Sequence, residues 1–127
     1  MTEPDKVIGK RILLADDERE VRELTKMLLG MDDHIVTDAA NGREALALFT
    51  QQRFDLVITD NDMPLMKGDE LARNIKRLAP SEPVLMITGS AREPAIIHGP
   101  VDAVLEKPFC FEDLRQAIAR LLCPVPV

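Results

Sequence analysis

Five short apolar runs punctuate this chain, and each is followed by a stretch with helical spacing. The runs are Arg11–Ala15, His34–Asp38, Leu56–Asp60, Val84–Thr88 and Ala103–Leu105. The best defined are aliphatic, often β-branched, and show no polar alternation, so both of their faces must be covered. Strands of that kind alternating with helices belong to a parallel sheet between two layers of helix. The run Leu56-Val57-Ile58-Thr59-Asp60 is the centre of the pattern: it goes straight from buried residues into an aspartate. The carboxyl edge where Asp60 falls is where open α/β sheets place their chemistry.

Between the runs, Glu18, Arg19 and Glu20 open a first helix with Val21, Leu24, Leu28 and Met31 at inward spacing. Asn41 caps a second, which carries Ala45, Leu46, Leu48 and Phe49 on its inner side. A third covers 69–78, with Leu71, Ile75 and Leu78 inward. Residues 90–100 hold Pro94, Gly99 and Pro100, so a fourth helix there is short or irregular. A last helix starts near Glu112–Asp113 and turns Leu114, Ala117, Ile118 and Leu121 to the core; Pro124 and Pro126 stop it. Right-handed crossovers leave few topologies, and the natural one is a flavodoxin-like, doubly wound five-stranded parallel sheet of order 2-1-3-4-5. Its second strand lies at or near an edge.

At 127 residues and 46% hydrophobic, the chain makes one domain with one core. Its expected division is a leader over 1–10, the domain over 11–122 and a tail over 123–127. A net charge of −6 argues against a nucleic-acid surface. No signal peptide or membrane span is legible, which points to the cytoplasm. Cys110 and Cys123 lie ~20 Å apart along the last helix, beyond the ~7 Å reach of a disulfide, and read as free thiols. His34 and His98 read as surface residues and the methionines as core filler.

Order 2-1-3-4-5 gathers five polar groups on one rim: Asp16 and Asp17 after strand 1, Asp60 after strand 3, Thr88 ending strand 4, and Lys107 after strand 5. Each alone has an ordinary structural reading. Asp16 and Asp17 are helix-start acids, Asp60 a turn aspartate, Thr88 a strand-end threonine and Lys107 a solvated lysine. Their coincidence is what points to a site. Carboxylates ~5 Å apart repel by on the order of 3 kcal/mol per pair at an effective dielectric of ~20. A hard cation such as Mg²⁺ relieves that repulsion with oxygen ligands alone. A carboxylate beside a divalent cation, an ammonium and a hydroxyl is equipped to take a phosphoryl group.

From Arg11 to Leu122 the chain resembles the receiver domain of two-component response regulators. The matching pieces are Leu13-Leu14-Ala15-Asp16-Asp17-Glu18, Ala40-Asn41-Gly42-Arg43-Glu44-Ala45, Asp55 to Asp60, Met63-Pro64, Gly68, Thr88 and Lys107-Pro108-Phe109. The resemblance implies that Asp60 is the phospho-acceptor. It also implies that Asp17 binds Mg²⁺ directly, Asp16 through water and Asp62 through its backbone carbonyl, while Thr88 and Lys107 hold phosphoryl oxygens. It implies a cis Lys107–Pro108 bond. The donor would be a phosphohistidine on a sensor histidine kinase or a histidine phosphotransfer protein, and a weak homodimer is compatible with the family. The chain would then be a phospho-acceptor rather than an enzyme, limited to self-phosphorylation from small donors and autodephosphorylation. Two features depart from the family pattern: Val104 stands where an aromatic residue is usual, and the stretch from Thr88 to Lys107 is short. The short segment is also similar to receivers attached to hybrid histidine kinases. Two other readings compete. Asp60-Asn61-Asp62 looks like the start of a haloacid-dehalogenase-type phosphatase using Asp60 and Asp62, and the domain could bind a partner without phosphorylation.

Overall fold

A computed structural model of the chain describes residues 7–89 and 99–123. The elements run β1 (Arg11–Ala15), α1 (Arg19–Gly30), β2 (Ile35–Ala39), α2 (Gly42–Gln51), β3 (Leu56–Asp60), α3 (Gly68–Leu78), β4 (Val84–Thr88), β5 (Ala103–Glu106) and α4 (Phe111–Leu122). All strands are parallel and their order is β2-β1-β3-β4-β5, as the apolar runs predict. The short or irregular helix expected within 90–100, and His98, fall largely or wholly outside the described residues. Among the described residues, no helix is long and apolar enough to cross a membrane.

Every residue of β3 and β4 is buried, which explains their unbroken apolar character. The edge strands β2 and β5 are only partly covered. Side chains of β1 alternate between two halves of the core. Leu13 and Ala15 join Val57, Ala45 of α2 and Leu71 and Ile75 of α3 on one face. Ile12 and Leu14 join Ile58, Leu29 of α1 and Leu114 and Ile118 of α4 on the other. This is the period of two that a pleated strand imposes. Asn41 caps α2 as expected, its Oδ1 accepting the Glu44 N–H at 2.8 Å.

Several side chains depart from the sequence reading. On α1 the buried residues are Thr25 and Leu29, while Leu24 and Met31 are 51% and 63% exposed. Thr25 tolerates burial because its hydroxyl donates to the Val21 carbonyl at 2.8 Å inside the helix. Leu78, in the last turn of α3, is exposed, and so is Met27; Met63 and Met86 are core residues. His34 is buried rather than on the surface, because its Nδ1 accepts the Lys10 N–H at 3.0 Å where the chain enters β1. Burial pushes its pKa below the ordinary value. Cys110 and Cys123 are free.

Candidate functional site

The site lies where the strand order reverses, between the carboxyl ends of β1 and β3. Ala15 pairs with Thr59, so Asp16 and Asp60 emerge side by side. One carboxylate oxygen from each of Asp16, Asp17 and Asp60 lies within 4.8 Å of the others. Asp16 and Asp60 are buried and Asp17 is exposed, so the cluster opens to solvent on one side. On the other side of β3, Asp60 pairs with Ile87, which puts Thr88 one residue further along β4. Thr88 pairs with Glu106, and its carbonyl accepts the Lys107 N–H at 2.8 Å. The Lys107 ammonium lies 3.5 Å from Asp60 Oδ2. The Lys107–Pro108 bond is cis, as expected.

Backbone donors hold the buried carboxylates. Asp60 Oδ1 accepts from Asn61 N and Asp16 Oδ1 from Glu18 N, each at 2.9 Å. Burial nevertheless raises the Asp60 pKa above its ordinary value; Lys107 works against the rise and Asp16 adds to it. Burial likewise raises Asp16, opposed by the Glu18 hydrogen bond and by Lys107. Two buried acids with raised pKa beside a third, exposed carboxylate form an all-oxygen donor set that suits a hard divalent cation.

The loop after Asp60 is tied down by residues that carry no obvious chemistry. Asn61 is buried; its Oδ1 accepts from Asp69 N at 3.2 Å and its carbonyl from Gly68 N at 3.0 Å, so the first turn of α3 rests on it. A Cβ on Gly68 would stand 2.3 Å from the Asp60 carbonyl oxygen. Sequence reading found Gly68 but passed over Asn61, whose one signal was its place beside Asp60. The Asp62 side chain is exposed and stands outside the carboxylate cluster.

A doubly wound parallel sheet with an acid cluster and a lysine gathered at its switch point defines an α/β domain of the flavodoxin-like class, with its candidate site on the carboxyl rim. The family model "Response regulator receiver domain" matches residues 12–119. The chain is 37% identical over 119 residues to the response regulator receiver protein CpdR of Brucella abortus, covering 89% of this chain and 97% of that one. It is 35% identical over 115 residues to the response regulator MprA of Mycolicibacterium vanbaalenii, covering 88% of this chain and 50% of that protein. The chain thus spans about half the length of this relative. Among solved structures, the response regulator protein TrrA of Thermotoga maritima, in complex with Mg(2+)-BeF, matches with a TM-score of 0.83 and 34% identity over 89% of this chain and 99% of that one. This chain belongs to the response regulator receiver domain family.

Proposed function

We propose that Asp60 accepts a phosphoryl group from a phosphohistidine on a sensor histidine kinase or a histidine phosphotransfer protein, in a Mg²⁺-dependent step. One observation carries the reading: the buried Asp60 carboxylate shares a 4.8 Å cluster with Asp16 and Asp17 and faces the Lys107 ammonium at 3.5 Å. Asp60 attacks phosphorus in line; its new P–O bond forms as the donor's P–N bond breaks, and that bonding pair leaves on the imidazole. Lys107 and the Thr88 hydroxyl hold phosphoryl oxygens as charge builds on them. Asp17 would bind the cation directly, Asp16 through water, and Asp62 through its backbone carbonyl. The chemistry that bound Mg²⁺ supplies is neutralisation of negative charge on the phosphoryl oxygens. The protein works in the cytoplasm as a phospho-acceptor, with turnover limited to self-phosphorylation and autodephosphorylation.

Incubation with acetyl phosphate and Mg²⁺ should add one phosphate per chain, read by intact mass. Asp60→Asn and EDTA should each abolish the addition. Equal labelling of the variant, or indifference to EDTA, overturns the assignment. Sustained turnover of a phosphomonoester would favour the phosphatase reading instead.

A further inference from the structure

Arg22 sits in the second turn of α1 and reaches back to the acid pair. Its Nη1 donates to the backbone carbonyl of Asp16 at 2.9 Å, and its Nε donates to Asp38 Oδ2 at 2.9 Å. Only 15% of its side chain is exposed. Asp38 lies on the edge strand β2, and its other oxygen accepts from Lys26 at 3.1 Å. Burial works to raise the Asp38 pKa, but the hydrogen bonds from Lys26 and Arg22 outweigh it and hold the carboxyl below its ordinary value. The next residue on the same strand, Ala39, accepts the Asp16 N–H at 3.1 Å. The edge strand therefore holds both backbone groups of Asp16, one directly and one through Arg22. Glu18, the N-cap residue of α1, makes no side-chain cap of its own, and the side-chain tie at this helix start is the local one from Glu18 N to Asp16 Oδ1.

The carbonyl of Asp16 and the N–H of Asp17 share one rigid peptide plane. Clamping that carbonyl fixes the axis about which Asp17 turns, and so the direction from which its exposed carboxylate enters the cluster. We propose that Arg22, anchored on Asp38, is a positioning residue for the cation site, holding the Asp16–Asp17 peptide so that both carboxylates meet Asp60 at coordinating distance. This rests on the reading of the acid cluster as a Mg²⁺ site. The role calls for arginine. A planar guanidinium offers N–H groups in two fixed directions, one for a carbonyl and one for a carboxylate, whereas lysine offers a single mobile ammonium.

The test compares wild type with Arg22→Gln, Arg22→Lys and Asp38→Asn. Mg²⁺ affinity is measured by calorimetric titration, and stability by urea unfolding without metal. Both Arg22 variants should bind Mg²⁺ about 10-fold more weakly or worse, the usual penalty for removing a group that orients a metal ligand. Asp38→Asn, which keeps an acceptor for Arg22, should lose less. Arg22→Lys should retain the ion pair to Asp38 and most of the stability, yet not recover the affinity. It also carries the test if Arg22→Gln fails to fold. Wild-type affinity in both Arg22 variants, or full rescue by lysine, overturns the positioning role. A wild-type protein that binds no Mg²⁺ instead defeats the reading of the acid cluster, and the role of Arg22 falls with it.

Discussion

Gly68 and Leu65 bracket the end of the loop that follows Asp60, and they make opposite demands. At Gly68 there is no room for a methyl group, because the atom it would strike is the backbone carbonyl oxygen of Asp60, at the end of β3. Gly68→Ala should cost about 1–3 kcal/mol and slow labelling of Asp60, read by urea unfolding and by the acetyl phosphate assay. Unchanged stability would mean that α3 can withdraw from Asp60 at no cost. Leu65 has φ of 70° with its side chain 68% exposed, a left-handed conformation with little burial to offset it. Leu65→Gly should therefore stabilise the domain by about 0.5–1 kcal/mol. A fall in the urea midpoint would show that the exposed side chain does more for the fold than its surroundings suggest.

At the scale of elements, strands were the easiest to read. β3 and β4 are buried on both faces, so composition alone marks them, whereas the partly covered β2 gave a weaker run and a boundary one residue early. The first helix was legible as a helix but not in its facing. Apolar residues occupy much of its circumference, and the buried face carries Leu29 with a polar residue, Thr25, whose hydroxyl is satisfied within the helix. The acids, Thr88 and Lys107 could be read because each ends a strand or directly follows one. Arg22 could not, because a hydrogen bond to a backbone carbonyl leaves no mark on the residue that accepts it. Val104 bears on how the domain responds. It is 36% exposed on the edge strand β5 and has a stiff β-branched side chain with no ring to swing between positions. With a beryllofluoride phosphoryl mimic, hydrogen-exchange protection should rise in the loop over 62–68 and change little in β5 and α4. A response dominated by 103–106 and 111–122, and lost in Val104→Ala, would show that Val104 relays the signal after all.

Across the whole molecule, the sheet has a second charged end, opposite the acid cluster. There Glu82 Oε2 is buried and lacks a hydrogen-bond partner among the described residues. Lys76 does not serve it, because its ammonium is held at 2.6 Å by both the Glu82 carbonyl and Asp102 Oδ2. Burial, with the charges of Asp55 and Asp102, pushes the Glu82 pKa up to about 7. The folded value lies above the unfolded one, so the folded state holds this proton longer. Stability is then lost as pH rises from about 4.5 to about 7 and stays lower above that. Glu82→Gln should be more stable than wild type at pH 8, by on the order of 1–2 kcal/mol after allowance for partial exposure. The gap should narrow at pH 5; parallel urea midpoints at both values would remove Glu82 as the cause.

The pairing of Asp60 with Ile87 and of Thr88 with Glu106 has a consequence for quality control. In a sheet, a slip of one residue sends every side chain of a strand to the opposite face. Asp60, the Asp16–Asp17 pair, Thr88 and Lys107 end or follow four different strands, so a slip in any of three pairings dismantles the group. On the proposed role of Asp60, uptake of one phosphate there reports that four strands are in register, and a chain with any one of them slipped should take up none.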